Sequence, residues 1–300
     1  MLAKMTDGVI VLDKPAGITS FRAVEMVARI LRRKKCGHAG TLDPMATGVL
    51  LVCAGKATKI AGYLAAQEKE YEAFFRFGVS TDTGDATGKE IESRPGAFAP
   101  EQETAAAVAA LVGTREQVPP AFSAVKVAGT RSYVLARQGK AVELKPRVVT
   151  VAEARLLSWS PEGFRVFLRC TKGFYVRALP GDLGRALGVP MTVSALRRRR
   201  SGPFRIEESV TLDALAEEGS RGEAHLRLVA IEKALAGFPQ WEIPGDAVAA
   251  IRHGGSPAPW LADRDPGTSS GVVLLTHVKE GPVALVERVG GGLWRILRGI

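Results

Sequence analysis

The stretch GHAGTLDPMATGVLLVCA, residues 37–54, places a glycine-rich loop directly before an apolar segment. Three glycines within Gly37–Gly48 permit sharp turns and the close approach of a ligand. Pro44 disfavours the helical region for Asp43, so the carboxylate is held on an extended or turn backbone. Taken alone, an Asp-Pro pair in a loop is most often a turn device, and His38 is most often an ordinary loop histidine. The neighbouring sequence therefore decides whether this loop is a site.

Upstream of the loop, the pattern predicts a strand and a helix. Gly8–Leu12 reads as an apolar strand. Thr19 or Ser20 is the expected N-cap of a helix running to about Arg33, because the apolar residues that follow recur at helical spacing. The helix ends in a basic cluster, Arg32–Lys35, which suits a helix C-terminus. A carboxylate beside this cluster would repel a docking polyanion. Its presence there therefore suggests that it is needed for chemistry.

Downstream of the loop, strands and helices interleave without a regular βαβ spacing. The predicted elements are a helix near Ala57–Leu64, a strand over Tyr71–Gly78, a helix over 101–112, a β-pair formed by Val148–Ser158 and Gly163–Cys170, and a strand running into a helix over Tyr175–Val189. We therefore predict an α+β fold, in which a mixed β-sheet carries flanking helices.

The C-terminal segment differs in composition from the rest. Gly254–Gly271 is rich in Pro, Gly and Ser, and three short strand-like runs follow, separated by turns that contain glycine. We predict one large domain over residues 1–237 and a small β-rich domain over residues 238–300.

Charge is unevenly distributed along the chain. Residues 1–200 hold 31 Lys and Arg against 18 Asp and Glu, a balance of +13, whereas residues 201–300 hold 10 against 13, a balance of −3. Arg32–Lys35 and Arg197–Arg200 are the two densest basic runs. An excess confined to one part of the chain suggests a polyanion partner there. Charge does not distinguish RNA from DNA or a membrane surface, and a basic protein without such a partner remains an alternative.

Composition favours a globular protein without a metal site or a disulfide. The chain is 46% hydrophobic and 24% charged, which is typical of a protein with a proper core. Apolar runs such as Val49–Ala54 are far shorter than the roughly 20 residues of a membrane span, and Gly8–Leu12 is too short for a signal peptide. We therefore expect a cytoplasmic protein that does not bind membranes. Three cysteines form no Cys-x-x-Cys pair and four histidines form no metal-binding pattern, so no metal ligand is predicted.

The loop around Asp43 resembles the catalytic motif of the TruB family of tRNA pseudouridine synthases, G-H-x-G-x-L-D-P-x-A-x-G-V-L. Other motifs of that family are matched in the right order over about residues 8–205. The matching segments are Asp13–Ser20 for D-K-P-x-G-x-T-S, Lys69–Tyr71 for K-x-Y, Thr81–Gly88 for T-D-T-x-D-x-x-G, Pro119–Lys126 for the inserted RNA-clamping segment, Lys172–Arg177 for K-G-x-Y-[IV]-R, and Leu196–Arg198 for L-R-R. Two departures from the pattern, Phe174 and Ala195, affect only the expected back wall of the pocket.

The resemblance implies an enzyme that isomerises the uridine at position 55 in the T loop of tRNA. Such enzymes break a C–N glycosidic bond, turn the flipped-out uracil, and rejoin it through carbon. The reaction is redox-neutral and hydrolyses nothing, so no cofactor is expected. The implied partner is the T stem-loop of tRNA, without an obligatory protein partner, and a monomer is expected. The RNA-clamping insertion would span about residues 118–147, and the C-terminal domain is weakly similar to PUA-type RNA-binding modules.

Three residues are implied to be catalytic. Asp43 matches the family's nucleophile. Arg177 matches the arginine that pairs with it, and a guanidinium favours the charged form of a carboxylate. Tyr71 matches a tyrosine that stacks on the target base and takes part in proton transfer. On the predicted strand, Tyr175 and Arg177 point to the same face, so both are expected to line one pocket.

A second group of residues is expected to bind the substrate. His38 matches a histidine that fills the space opened when T-loop nucleotides flip out, and Leu196 matches a leucine that packs against the target nucleotide. Arg32 and Lys35 are expected to meet phosphates. The full predicted set is His38, Lys14, Lys126, Tyr175, Leu196, Arg32 and Lys35.

Two other functions compete with this interpretation. One is a tRNA-binding or tRNA-folding factor on the same fold, for which catalysis is secondary. Intact Asp43, Tyr71 and Arg177 argue against a catalytically dead binder, although a second, chaperone-like role is compatible with them. The other is a glycosidase, which would normally need two carboxylates, whereas the motifs supply one.

Overall fold

The fold is known from a computed structural model that describes residues 7–123, 125–127, 129–138, 144–261, 264–267, 271–289 and 293–300. The strands are β1 (Gly8–Lys14), β2 (Cys36–His38), β3 (Thr47–Ala54), β4 (Lys69–Phe77), β5 (Val79–Thr81), β6 (Glu90–Ser93), β7 (Gly113–Gln117), β8 (Lys126–Val127), β9 (Thr130–Arg131), β10 (Arg147–Ser160), β11 (Gly163–Cys170), β12 (Met191–Ser201), β13 (Phe204–Arg205), β14 (Val210–Thr211), β15 (Gln240–Glu242), β16 (Val272–His277), β17 (Gly281–Val289) and β18 (Leu293–Gly299). The α-helices are α1 (Ser20–Ile30), α2 (Ala61–Ala65), α3 (Glu101–Ala109), α4 (Ser132–Arg137), α5 (Leu179–Leu187), α6 (Leu212–Ser220), α7 (Ile231–Ala234), α8 (Gly245–Arg252) and α9 (Ala258–Leu261). Short 3-10 helices cover Gly55–Ile60, Val176–Ala178, Ile206–Glu208 and Ala224–Arg227.

A large mixed sheet forms the centre of the molecule. Its strand order is β14-β1-β3-β12-β4-β11-β10-β7, with β13 paired to β12 and β2 paired to β3. The pairs β1–β14 and β3–β12 are parallel, and the other pairs along this path are antiparallel. The prediction of an α+β fold with a mixed sheet and flanking helices is confirmed.

Two apolar layers cover opposite faces of this sheet. On β1, Ile10 and Leu12 belong to one core cluster, which is shared with α1, α3, α5 and α6. Val9 and Val11 belong to a second cluster, which is shared with the helical turns after β3 and with the C-terminal strands. Because alternate residues of a strand face opposite sides, helices cover one face of β1 and the C-terminal sheet covers the other.

The C-terminal segment is β-rich, as predicted. Its strands are ordered β15-β16-β17-β18, with only the β15–β16 pair parallel. This sheet has a core of its own with α8 and α9, and it also contributes Leu274 and Leu285 to the layer behind β1 and β3. The domain limits at residues 237 and 238 stay predictions.

Helix α1 ends earlier than the sequence suggested, at Ile30 instead of about Arg33. The predicted N-cap is present, since the Thr19 side chain accepts a hydrogen bond from the Arg22 backbone N–H at 3.0 Å. At the other end, Arg32 has a φ of 52°, a left-handed conformation that usually selects glycine. The N–H groups of Arg32 and Arg33 donate back to the last helical turn, which forms a Schellman cap.

The predicted strand at Tyr175 is wrong. Val176–Ala178 forms a 3-10 turn that leads directly into α5. Pro180 lies in the first turn of α5, where its fixed φ and missing N–H suit the start of a helix. Arg177 therefore reaches its partners from a helical turn and not from a pleated strand. The helix predicted over 101–112 is also shorter than expected and ends at Ala109.

Candidate active site

The loop that carries Asp43 is held in place by the chain segment before α1. The Ser20 hydroxyl accepts a hydrogen bond from the Leu42 N–H at 2.8 Å and donates to the Leu42 carbonyl oxygen at 2.9 Å. The Gly17 N–H donates to the Pro44 carbonyl oxygen at 2.8 Å. The segment Asp13–Ser20 therefore fixes the residues on both sides of Asp43.

Lys14 completes this brace from inside the protein. Its side chain is fully buried. The ammonium donates to the carbonyl oxygens of Pro15 at 2.7 Å, Ile18 at 2.9 Å and Pro44 at 3.4 Å. Burial lowers the pKa of Lys14 to about 8, although the charge of Asp43 acts in the opposite direction. These contacts position the loop, and a direct substrate contact by Lys14 stays a prediction.

Asp43 and Arg177 form a two-pronged ion pair. Nε of Arg177 donates to Oδ2 of Asp43 at 2.8 Å, and Nη2 donates to Oδ1 at 2.8 Å. The guanidinium also donates to the carbonyl oxygens of Thr83 at 3.0 Å and Phe122 at 2.8 Å. The side chain of Arg177 is only 4% exposed, whereas that of Asp43 is 29% exposed. A fixed cation thus supports a carboxylate that an incoming ligand can still reach.

A second carboxylate, Asp85, also lies beside the guanidinium of Arg177. Its Oδ2 is 3.4 Å from Nε of Arg177, and the residue is 4% exposed. Its Oδ1 accepts hydrogen bonds from the Thr83 hydroxyl and from the N–H and hydroxyl of Thr87. Sequence reasoning treated this segment only as a turn and missed Asp85. The signal was available, because an Asp flanked by threonines in a family motif can be a buried, hydrogen-bonded carboxylate.

Gly84 allows the turn to approach Arg177. Its φ is 71°, and a Cβ built there would overlap the carbonyl oxygen of Arg177. Only glycine can occupy this position without displacing one of the two segments.

Tyr71 and Leu196 form the wall across from this ion pair. Tyr71 on β4 lies directly opposite Arg198 on β12, and Leu196 lies two residues before Arg198 on the same face. Burial raises the pKa of Tyr71, while the nearby Arg198 guanidinium acts to lower it. The wall therefore combines an aromatic ring, an aliphatic side chain and a buried cation.

These groups surround a cavity of about 210 Å³. Its lining residues are Gly40, Thr41, Leu42, Asp43, Ala65, Lys69, Tyr71, Ser123, Thr171, Gly173, Phe174, Tyr175, Val176, Leu196 and Arg198. The cavity thus brings together four of the predicted residues, Asp43, Tyr71, Tyr175 and Leu196. Arg177 does not line the cavity, but it binds Asp43.

The other predicted contacts lie away from the cavity lining. His38 ends β2 and is half-buried, while Arg32 and Lys35 are exposed beyond the end of α1. Lys126 is in β8, but its side chain lies outside the part of the chain that the structure describes. If these residues contact RNA, they do so around the cavity and not within it.

Gln117 is a residue that sequence reasoning missed. Its side-chain Nε2 donates to the Tyr175 carbonyl oxygen at 3.1 Å, and its Oε1 accepts from the Tyr175 N–H at 2.8 Å. Gln117 is buried at the end of β7, just before the segment predicted to clamp RNA. It therefore ties the backbone of a cavity residue to the start of that segment.

The two basic runs differ in their surroundings. Arg198 is buried, and its three neighbours form ion pairs: Arg197 with Asp13, Arg199 with Glu72 and Glu207, and Arg200 with Glu68 and Glu70. By contrast, Arg32–Lys35 makes no salt bridge within the described ranges. The second run is largely neutralised, whereas the first presents unpaired charge.

Two negative findings apply to the described residues. No group of three or more His, Cys, Asp or Glu side chains among them could hold a metal ion. None of the helices described is long and apolar enough to cross a membrane.

Two family models match consecutive parts of this chain. The model for the N-terminal domain of TruB family pseudouridylate synthases matches residues 28–176, and the model for the C-terminal domain of tRNA pseudouridylate synthase B matches residues 177–235. A protein from Chromohalobacter salexigens named tRNA pseudouridine synthase B is 44% identical over 83% of this chain and 80% of its own length. The chain belongs to the TruB family. A TruB-family relative from Thermobifida fusca, with the same name, is 45% identical over 84% of this chain and 89% of its own.

Solved structures resemble the TruB-family chain over nearly its whole length. A chain in the crystal structure of a Cbf5-Nop10-Gar1 complex has a TM-score of 0.75 at 27% identity, covering 99% of this chain and 84% of that one. A chain in the structure of an H/ACA RNP bound to a substrate RNA containing 2′-deoxyuridine has a TM-score of 0.72 at 27% identity, with the same coverage. The similarity includes the C-terminal sheet, which lies beyond the two matched family models.

Proposed function

We propose that this chain converts the uridine at position 55 in the T loop of tRNA into pseudouridine, with Asp43 as the nucleophile. The observation that carries the proposal is the two-pronged Asp43–Arg177 pair at a cavity bordered by Tyr71 and Leu196. The names of the curated relatives support tRNA as the substrate. Position 55 rests on the family resemblance of the motifs.

The geometry suits a carboxylate nucleophile. Both oxygens of Asp43 accept hydrogen bonds from a guanidinium, which stays protonated and favours the ionised carboxylate. Each oxygen keeps further lone pairs for attack, because a carboxylate has about four acceptor sites. The uridine must leave its stack to reach this cavity, and the ring of Tyr71 offers a new stacking surface. Leu196 would contact the same nucleotide from the side.

The proposed function includes expectations about cofactors, location and partners. The reaction needs neither an external electron acceptor nor a Lewis acid, so we expect activity on a prefolded stem-loop to survive exhaustive treatment with EDTA. We also expect a cytoplasmic monomer that needs no protein partner. Loss of activity that zinc alone restores would contradict the cofactor-free mechanism.

The decisive experiment uses an unmodified tRNA transcript, with pseudouridine mapped by carbodiimide-blocked primer extension. A transcript with cytidine at position 55 is the matched control. Asp43→Asn should reduce turnover below about one per cent of wild type, because the covalent route is lost. Its tRNA affinity should stay within about tenfold, or ~1.4 kcal/mol. Higher residual turnover would contradict the nucleophile, and modification elsewhere would contradict position 55.

The same variant separates catalysis from RNA folding. If Asp43→Asn refolds a misfolded transcript as fast as wild type does, the chain has a folding role that is independent of the nucleophile. If only the active enzyme promotes refolding, catalysis is the primary function.

A further inference from the structure

The active-site cavity is bordered by two buried cations that have no carboxylate partner. Lys69 is 5% exposed and Arg198 is 1% exposed. Neither forms a salt bridge with any carboxylate in the described part of the chain, although buried charges are usually paired. Arg177, another buried cation beside the cavity, differs because it is paired with Asp43 and Asp85.

Backbone carbonyl oxygens satisfy only part of the hydrogen-bonding capacity of these cations. The Lys69 ammonium donates to the carbonyl oxygens of Ala65 and Gln67, each at 2.5 Å. An ammonium has three protons, so one is left for a ligand. Arg198 donates once each to carbonyl oxygens of the catalytic loop and β3, namely those of Val49 at 2.6 Å, Thr41 at 3.3 Å and Gly40 at 3.2 Å. The side chain of Arg198 also forms a hydrogen bond with that of Tyr71. A guanidinium has five protons, so one is left.

Both cations face the place expected for the base. Lys69 and Tyr71 lie on the same face of β4, and Arg198 is directly opposite Tyr71 on β12. A Cβ placed at Gly40 would lie 3.8 Å from Nη1 of Arg198 and 3.9 Å from Cε of Lys69. Both cations therefore border the same part of the catalytic loop, on the Tyr71 side of the cavity.

A pocket with unpaired buried positive charge favours an anion. Asp43 does not fill this role, because Arg177 already binds both of its oxygens. A phosphate of the RNA backbone is one candidate, but Lys69 lies inside the cavity and is nearly inaccessible from outside. The other candidate is the uracil itself, which becomes negative during the reaction.

The charge on uracil arises by either route of bond cleavage. If an Asp43 oxygen bonds to C1′, the C1′–N1 bond breaks and its electron pair leaves with the uracil. If the carboxylate adds to C6 of the ring, the electron pair moves toward the O4 carbonyl. In both cases negative charge develops on the base and no external reactant is consumed. C5 later bonds to C1′, the bond to the carboxylate breaks, and the C5 proton passes to a base.

We propose that Lys69 and Arg198 together form the site that stabilises the negative charge on the uracil while its bond to C1′ is broken. This inference rests on the proposed isomerisation. Lys69 donates a hydrogen bond from its remaining N–H to a carbonyl oxygen of the base. Arg198 supplies a second, fixed positive charge. Preorganised donors of this kind act strongly in a water-poor site, because they need no rearrangement when charge develops.

The test compares uridine with 5-fluorouridine at the target position of a stem-loop. Fluorine withdraws electrons, so 5-fluorouracil leaves more easily and needs less stabilisation. Single-turnover cleavage of the N-glycosidic bond is measured at saturating enzyme by nuclease digestion and chromatography. Lys69→Met should slow the reaction of uridine about 100-fold, the usual cost of one such donor. Its loss with 5-fluorouridine should be several-fold smaller, and Lys69→Arg should restore most of the rate.

Controls separate this role from folding and from RNA binding. Lys69→Gln also removes the charge but keeps a donor for the carbonyl oxygens of Ala65 and Gln67, so it serves if the methionine variant does not fold. Lys172→Met removes an exposed charge near the cavity and should leave the ratio of the two rates unchanged. Equal losses on both substrates, or a loss of affinity alone, would overturn the proposal. An inactive wild-type enzyme would instead contradict the proposed function itself.

Discussion

A methyl group at Gly84 would test whether the turn that holds Asp85 sets the position of Arg177. Gly84→Ala imposes two separate costs. A left-handed φ costs an L-residue roughly 1–2 kcal/mol. In addition, the new Cβ overlaps the carbonyl oxygen of Arg177, and relief of that overlap needs a displacement on the order of 1 Å in a close-packed region.

Gly96→Ala is the matched control for the backbone cost. Gly96 has a φ of 78°, close to the 71° of Gly84, but nothing lies within 4 Å of a Cβ placed there. Both variants should therefore lose about 1 kcal/mol of unfolding free energy from strain. Gly84→Ala should lose about 1–3 kcal/mol more from overpacking.

The effect on catalysis should distinguish the two variants sharply. Displacing Arg177 misaligns both of its 2.8 Å hydrogen bonds to Asp43. A misplacement of about 1 Å near reacting groups costs roughly 100-fold in rate, so Gly84→Ala should show this loss and Gly96→Ala should not. The assay is the single-turnover rate on a T stem-loop at saturating enzyme, with urea unfolding measured in parallel. A Gly84→Ala variant that is folded and turns over at the wild-type rate would refute the argument.

Three further results are expected. Burial lowers the pKa of Lys69 to about 8, so its stabilising charge is present below that pH and is lost above it. The value of kcat/KM should then fall as pH rises through about 8, and Lys69→Arg should abolish that fall; an unchanged profile would assign it to another group. Arg32→Gly should raise the unfolding free energy by about 0.5–1 kcal/mol, because glycine tolerates the left-handed φ. The same variant should weaken tRNA binding. If one phosphate contact is lost, the slope of log affinity against log salt concentration should become shallower by ~0.7. Gln117→Ala should cost about 1–3 kcal/mol, because the part-buried N–H of Tyr175 loses its partner while the Tyr175 carbonyl oxygen keeps the Ala178 N–H, and it should slow the single-turnover rate. The exposed Gln138→Ala should do neither.

The pairing of Asp43 with Arg177 could be predicted from the sequence, although the two residues are 134 positions apart. The prediction came from family motifs and not from local patterns. Helix α1 and the β10–β11 pair, by contrast, followed from periodicity alone, because their apolar residues repeat at helical or alternating spacing over many positions.

The strand predicted at Tyr175 shows where local patterns fail. Phe174–Val176 consists of residues that favour strands, yet the backbone of Tyr175 is bound by the side chain of Gln117, 58 positions away. No neighbouring strand is needed to satisfy these backbone groups. Such a contact depends on tertiary structure, so periodicity within the segment could not reveal it.

Charge counting fails for a related reason. Arg197–Arg200 and Arg32–Lys35 contribute equally to the net charge of residues 1–200. On β12, however, alternation buries Arg198 and brings the other three arginines beside carboxylates of β1, β4 and the turn after β13. The field of an ion pair falls off much faster than that of a lone charge, so these arginines attract distant phosphates weakly. The run after α1 has no carboxylate partners in the described ranges. Arg32, Lys34 and Lys35 are exposed, and Arg32 has a left-handed φ at the helix cap. The position of the partner acids, and not the number of basic residues, therefore decides which run can attract RNA.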